Sequence, residues 1–236
     1  MKATYFIFVF ILSCLIYSCW GDNPYKIIRT FTITGTVTDK ENNQPVAGVP
    51  ISVDAIEPLG TPGFGGIRKH EGQGITDANG HYSINVGIFK GVQSLQLFVN
   101  QGNGNTGYWF SNSTVNIADL NPSKSNNKDF TLVPLAILNV NYKNITRYSD
   151  SDLFRFYVFS NPSGEVVNRT YCGSIHEDSL DASWTGKDVC GTNSLMEAAD
   201  HEAIITWDVY RKGVHNSFED SVFVKRGVVT NFDINY

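Results

Sequence analysis

The chain has 236 residues, a formal net charge of −5, and 42% hydrophobic and 13% aromatic residues. This length and apolar content exclude a largely disordered chain and allow two cores of ordinary size. The mildly acidic balance, without a cluster of Lys and Arg, argues against nucleic acid as the main partner.

The N-terminus predicts an exported protein. Lys2 precedes an uncharged apolar run, Tyr5 to Tyr17, that is too short for an ordinary transmembrane helix and fits the core of a signal peptide. The run ends in Leu-Ile-Tyr-Ser-Cys at residues 15–19, which resembles a bacterial lipobox. The resemblance implies cleavage before Cys19 and a lipid on its thiol, and an ordinary secreted protein cut nearby is the alternative.

The strand pattern predicts an all-β protein of two β-sandwiches in tandem, because short alternating segments are separated by turns rich in Asp, Asn and Gly. Four segments follow in order: a signal peptide at 1–18, a lipidated tether at 19–30, a first sandwich at 31–134 and a second at 135–236. No linker separates the sandwiches, so we expect them to abut. The lipidated N-terminus implies a lipid-anchored protein of the outer membrane, facing the periplasm or the cell surface.

Residues 33–39 and 74–86 organise the first sandwich and read as paired strands. In the second stretch Tyr82, Ile84 and Val86 alternate with polar residues, after an Asn-Gly turn. Other strands are predicted at 46–55, 94–100, 107–117 and 129–133, with a Gly- and Pro-rich loop at 58–66.

Three motifs of this first unit resemble the carboxypeptidase regulatory-like domain, a transthyretin-like (prealbumin-like) β-sandwich. The motifs are Gly35-x-Val37-x-Asp39, Pro45-Val46-x-Gly48-Val49 and Thr76-Asp77-x-x-Gly80-x-Tyr82. The resemblance implies a noncatalytic accessory or binding module. With the lipobox upstream, the chain also resembles small Bacteroidetes lipoproteins encoded beside polysaccharide-uptake systems.

The second unit is predicted to be an Ig-like or fibronectin-like sandwich from its strand pattern alone. Strands are predicted at 135–142, 152–159, 165–171 and 203–210, and residues 221–225 and 228–235 read as a closing hairpin. Once Cys14 and Cys19 are assigned to the signal and the lipid, Cys172 and Cys190 remain, and in an exported protein we expect them to form a disulfide. A metal-binding or redox pair is the alternative.

Three aromatic residues are candidate ligand-binding groups because aromatic faces stack on sugars and peptides. Tyr108 and Trp109 follow a Gly-rich loop, and Trp184 lies between the two cysteines; burial in the core is the alternative for each. We expect no metal site, because the oxygen ligands of Asp39, Asp77 and Asn79 lack the spacing of a calcium loop and suit Asx-turns instead.

The sequence predicts no enzyme and no cofactor. His201-Glu202 begins like a zinc-peptidase HExxH motif, but Ile205 stands where the second histidine is required. Asp178, Asp181 and Asp188 lie near Trp184, and paired carboxylates can hydrolyse glycosides. Solvated loop acids are the simpler interpretation.

The resulting hypothesis is a noncatalytic, lipid-anchored cell-envelope protein that binds a glycan or a protein partner, as an accessory to polysaccharide uptake. The alternative is a structural subunit of a pilus or adhesin. A glycan-active hydrolase is a third and weaker hypothesis.

Overall fold

The computed structural model describes residues 25–58, 66–101, 107–160, 165–172, 176–178 and 183–236. The signal peptide, Cys19 and most of the tether lie outside these residues, as do Asp181 and the side chain of Asp178. Within the described ranges the chain forms seventeen β-strands and one turn of 3-10 helix at Ile117–Asp119. No helix within these described ranges is long and apolar enough to cross a bilayer.

The first sandwich contains eight of these strands in two sheets. They are β1 (Ile27–Asp39), β2 (Pro50–Glu57), β3 (Ile67–Ile75), β4 (His81–Phe89), β5 (Ser94–Val99), β6 (Ser111–Asn116), β7 (Ser125–Asn127) and β8 (Phe130–Leu132). One sheet has the order β4-β1-β7, with β8 also on β1, and the other has the order β3-β2-β5-β6. Strands β7 and β8 run parallel to β1, whereas the remaining pairs are antiparallel.

The predicted pairing at the centre of this unit is confirmed, since Ile33 of β1 lies opposite Ile84 of β4. Phe31, Ile33 and Val37 alternate into the core, as a half-buried strand requires. Strand β3 was not predicted beyond its last residues. Its sequence, Ile-Arg-Lys-His-Glu-Gly-Gln-Gly-Ile, carries charge and little apolar alternation, because it forms an edge with mostly exposed residues.

The second sandwich contains the other nine strands. They are β9 (Leu135–Lys143), β10 (Leu153–Phe159), β11 (Glu165–Tyr171), β12 (His176–Asp178), β13 (Ser183–Thr185), β14 (Cys190–Ala198), β15 (His201–Arg211), β16 (Val214–Val224) and β17 (Thr230–Asn235). One sheet has the order β11-β14-β9-β17 and the other β12-β13-β10-β15-β16. The all-β sandwich architecture predicted from the sequence is therefore confirmed.

The second sandwich repeats the connections of the first. Its first strand, β9, is central, with an antiparallel neighbour β14 and a parallel last strand β17, as β1 has β4 and β7. In the facing sheet β10 pairs with β13 and β15, and β15 with β16, as β2 pairs with β3 and β5, and β5 with β6. This order differs from the ABED and CFG sheets of an immunoglobulin domain. Strands β11 and β12 are additions to the shared plan.

The predicted closing hairpin is wrong. Strand β16 pairs with β15, whereas β17 pairs with β9 in the facing sheet. Residues between them therefore cross from one sheet to the other instead of forming a tight turn. The alternation of both segments gives the strands correctly but does not specify their partners.

Each sandwich has its own hydrophobic core. In the second core Trp184 stacks on Phe156, with ring centroids 5.4 Å apart, and lies beside Tyr142 and Phe154. The predicted disulfide between Cys172 and Cys190 is present and joins the end of β11 to the start of β14.

The motif residues of the first unit have local structural roles. Gly35 lies so close to the Lys128 carbonyl that an added Cβ would be 2.0 Å from its oxygen. This close approach lets the hydroxyl of Tyr82 donate to the same carbonyl at 2.5 Å. The hydroxyl of Thr76 accepts from the Val49 N–H at 2.9 Å and donates to the Val46 carbonyl at 2.7 Å. These contacts join β1, β4 and the loop before β2.

The Asx-turn interpretation of the acidic turns is confirmed. The carboxylate of Asp77 accepts from the N–H groups of Asn79 and His81, both at 2.8 Å, and that of Asp39 accepts from the N–H of Glu41 at 2.8 Å. Among the described residues no group of three or more potential metal ligands is found.

Candidate functional site

Tyr108 lies where the two sandwiches meet and is not a free aromatic surface. Its hydroxyl donates to Asp39 Oδ2 at 2.9 Å, its carbonyl accepts from Asn100 Nδ2 at 2.6 Å, and its backbone bridges to Pro134. Burial and the hydrogen bond to Asp39 raise the pKa of Tyr108. The phenol therefore binds a carboxylate of its own sandwich, and that carboxylate in turn contacts Arg226 of the second sandwich. The ligand-binding role of Tyr108 stays a prediction.

Trp109 is half-buried and stacks against the exposed Phe110, with ring centroids 6.0 Å apart. Its backbone N–H donates to the Val133 carbonyl at 2.8 Å, so it also lies beside the junction. Its proposed part in ligand binding stays a prediction.

The prediction that Trp184 binds a ligand is wrong, because the side chain of this residue is 0% exposed. The indole lies inside the second core, where its faces contact Tyr142, Phe154 and Phe156. The polar residues that flank it in the sequence concealed this burial. Strand β13 carries the ring between the two sheets, opposite Phe154 of β10.

The acidic residues near Trp184 form no catalytic pair in the part of the chain that the structure describes. Asp188 is exposed and lies 3.7 Å from Arg147 in a surface ion pair. His201, from the incomplete HExxH motif, lies 2.9 Å from Glu41 of the first sandwich. Asp188 and Glu41 therefore each contact a basic side chain.

An ion pair with a buried carboxylate joins the two sandwiches. Arg226, in the connection from β16 to β17, donates from Nη1 and Nη2 to the carboxylate of Asp39, at 2.5 and 3.3 Å. Asp200 fixes the same guanidinium, accepting from Arg226 Nε at 3.0 Å and from its backbone N–H at 3.1 Å. The side chain of Asp39 is 1% exposed. We call Asp39, Tyr108, Asp200 and Arg226 the clamp.

The clamp keeps the carboxylate of Asp39 ionised. Burial acts to raise its pKa, but hydrogen bonds from Arg226, from Tyr108 and from the backbone N–H groups of Glu41 and Asn42 outweigh burial and lower it. A buried carboxylate with this many donors is fully compensated. Backbone bonds from Leu135 N to the Gly107 carbonyl and from Ala199 N to the Pro134 carbonyl, both 2.8 Å, reinforce the junction.

A second polar cluster lies on the outer face of the second sandwich, around Asp208. Its Oδ2 accepts from Arg155 Nε at 2.7 Å, and its Oδ1 lies 2.8 Å from His215 Nε2 and also accepts from Ser217 Oγ. Burial acts to raise the pKa of Asp208, and the bonds from Ser217, His215 and Arg155 outweigh it and lower the pKa to about 2. The rings of Tyr210 and His215 are parallel at 4.2 Å.

This cluster contains serine, histidine and aspartate but lacks the geometry of a catalytic triad. In a triad the acid binds one imidazole nitrogen and the serine binds the other. Here His215 Nε2 is the atom nearest to both Asp208 Oδ1, at 2.8 Å, and Ser217 Oγ, at 3.1 Å. The imidazole cannot relay a proton between them, so the arrangement is a polar network on a sheet surface.

Next to this cluster the same face carries an apolar patch. Phe159 of β10 lies directly opposite Ile204 of β15, with Tyr157 two residues before Phe159 and Phe223 on the adjacent β16. Their exposed fractions are 40% for Tyr157, 56% for Phe159, 42% for Ile204 and 55% for Phe223. We call these four residues the patch. Contiguous exposed apolar residues of this kind mark interaction surfaces.

Sequence reasoning did not find the clamp or the patch. Asp39 was recognised as a turn residue, but its partner Arg226 lies 187 positions away in a segment that reads as an ordinary turn. Strand β10 and the apolar residues of β15 were predicted as strand segments. The signal available for the patch was that β10, Leu153–Phe159, carries large apolar residues on both faces. Which of these residues are left uncovered depends on the packing of the facing sheet.

No family model matches the chain, and no curated protein matches it. Among solved structures, the shaft pilin SpaA of Lactobacillus rhamnosus GG is 11% identical, with 88% of this chain and 97% of the pilin covered and a TM-score of 0.34. The minor pilin GBS52 of Streptococcus agalactiae is also 11% identical, with 87% and 94% covered and a TM-score of 0.34.

A 9R-lipoxygenase from Cyanothece is 20% identical, with a TM-score of 0.28. This alignment covers 44% of the chain and 16% of the lipoxygenase. At these scores we infer no function from the likenesses.

Proposed function

We propose that the protein is a noncatalytic, lipid-anchored protein of the bacterial cell envelope that binds a partner through its second sandwich. The proposed lineage is that of Bacteroidetes lipoproteins with an N-terminal carboxypeptidase regulatory-like domain. The observation that carries the proposal is the patch, four large apolar side chains exposed side by side on a sheet face whose polar neighbours are hydrogen-bonded to each other.

Contacts across the junction support this function by fixing the patch relative to the first sandwich. His201 and Ile204 belong to the same strand, and His201 lies 2.9 Å from Glu41 across the junction. The patch is therefore at the end of the second sandwich that is nearest to the first. A partner bound there meets a surface of fixed orientation, which lowers the entropic cost of binding.

A protein is the partner class that suits the patch. Exposed aromatic and aliphatic side chains form the centres of protein interfaces, whereas polar groups form their rims. Here the Asp208 cluster lies beside the apolar residues on the same face. The neighbouring polar network would then remain at the solvated edge of the interface.

The experiment is crosslinking in intact cells, with a photoreactive residue at position 159 or, as a matched control, at the exposed Val228. We expect one envelope protein to be crosslinked from position 159 and not from 228. Its yield should fall when Ile204→Ser and Phe223→Ser are added. Equal crosslinking from both positions would contradict the proposal.

The lipid anchor requires its own test. We expect the mature N-terminus to carry acyl chains on Cys19, detected by mass spectrometry, and Cys19→Ser to move the protein from the membrane to the soluble fraction. A mature chain without lipid would refute the anchor and leave an ordinary secreted protein.

The alternative is a structural subunit of a pilus or adhesin, and the clamp is the observation that favours it. Two sandwiches joined by an ion pair with a buried carboxylate and by main-chain hydrogen bonds form a unit without a free linker, as a subunit under tension requires. Ladders of multimers extracted from the cell surface would support this alternative, and a monomer crosslinked to a different protein would exclude it.

A further inference from the structure

A crevice opens at the edge of the first sandwich, between the end of β6 and β7. Its volume is about 530 Å³, within the range of small-molecule sites. Ile33, Val115 and Leu120 form its apolar part, and Asn116, Asp119, Ser125 and Lys128 are among its polar lining residues.

The walls of the crevice combine a rigid side with available polar groups. Asn126 is fixed, since its Nδ2 donates to the carbonyls of Thr32 and Asn121, at 3.1 and 3.0 Å, and its Oδ1 accepts from Asn121 N at 2.7 Å. Among the described residues, in contrast, neither Asp119 nor Lys128 forms an ion pair. Asp119 Oδ2 accepts one long hydrogen bond, from Asn116 Nδ2 at 3.4 Å. The other carboxylate oxygen of Asp119 and the ammonium group of Lys128 remain available to a ligand.

We propose that this crevice binds one or two sugar units of a neutral glycan. Hydroxyl groups need both donors and acceptors, which the amide, hydroxyl, carboxylate and ammonium groups of the lining provide. The apolar part offers contact to the C–H face of a sugar ring. Because Asp119 and Lys128 carry opposite charges, the crevice has no net charge to select an ion.

The inference goes beyond the proposed function, because it adds a glycan as a second partner and uses a surface different from the patch. An envelope protein that binds a glycan in its first sandwich and a protein through its second would bring the two together. That arrangement matches an accessory role in polysaccharide uptake.

The test is saturation-transfer NMR and calorimetry with the full chain purified in detergent. The probes are methyl glycosides of neutral hexoses and N-acetylhexosamines, and their disaccharides. We expect at least one probe to bind saturably and Asp119→Ala to weaken it about tenfold, the loss of a hydrogen bond to a charged group. Leu120→Trp should fill the crevice and abolish binding.

The matched control is Ala118→Trp, an exposed position in the same short helix that does not line the crevice. It should bind as the unmodified chain does. If no probe binds, or if both Leu120→Trp and Asp119→Ala bind normally, the inference is overturned. Crosslinking from the patch would be unaffected by these variants, so a failure here is distinguishable from a failure of the proposed function.

Discussion

Arg226 and Asp39 form an ion pair across 187 positions of sequence, with the carboxylate 1% exposed and the guanidinium fixed from behind by Asp200. Asp39 ends the first strand of one sandwich, and Arg226 precedes the last strand of the other. The pair therefore links the beginning of the first unit to the end of the second. Together with the main-chain hydrogen bonds of the junction, it holds the two sandwiches in one orientation.

Removing this arginine should be costly. Arg226→Ala leaves a buried carboxylate without its cation, and we expect a loss of about 3 kcal/mol in the free energy of unfolding. Arg147→Ala is the matched control, because Arg147 and Asp188 form an exposed pair that should contribute less than about 1 kcal/mol. Urea titration of both variants measures the difference. Equal losses would show that the clamp does not stabilise the junction.

Asp208 should give a defined acid dependence. Its pKa is about 2 in the folded protein and 3.8 for an unperturbed group, so its stabilising effect is complete above pH 3.8. The stabilising effect declines below pH 3.8, because the unfolded chain takes up the proton first. It is lost as pH falls through about 2, the pKa of Asp208 in the folded protein. We expect the stability advantage over Asp208→Asn to be constant from pH 5 to 4 and to shrink towards pH 2. An advantage that persisted at pH 2 would contradict the assignment.

The two predicted ligand-binding tryptophans should behave differently. Trp184→Ala removes a fully buried ring from the second core and should cost about 3–5 kcal/mol of unfolding free energy. Trp109→Ala, at a half-buried position, should cost clearly less. Thermal unfolding followed by near-ultraviolet circular dichroism measures both. A stable Trp184→Ala protein would mean that the ring is not a core residue.

Gly35 should not tolerate a side chain. An added Cβ would lie 2.0 Å from the Lys128 carbonyl oxygen and 2.9 Å from the ring of Tyr82, so the backbone must move. We expect Gly35→Ala to cost about 3 kcal/mol. Gly48→Ala is the control, because Gly48 has a φ of +74° and no atom within 4 Å of an added Cβ, and only about 1 kcal/mol of backbone strain is expected. Chemical denaturation compares the two.

Much of the fold could be predicted because alternation is a local signal. Strands β1, β4, β9 and β10 place apolar residues at every second position, and their existence follows from that pattern. Strand β14 was not predicted. Two of its inward residues are the buried polar Asn193 and Glu197, which interrupt the apolar alternation. Burial raises the pKa of Glu197, so this strand carries a carboxyl group into the interior.

The sequence by itself determined the all-β class, the disulfide pair and the Asx-turns, since each depends on residues close together or on simple elimination. Tertiary structure decided the rest. Whether Trp184 is buried, whether β17 pairs with β16 or with β9, and whether Asp39 meets Arg226 all depend on which sheets face each other. A pattern with a period of two residues specifies the faces of a strand but carries no information about its neighbours.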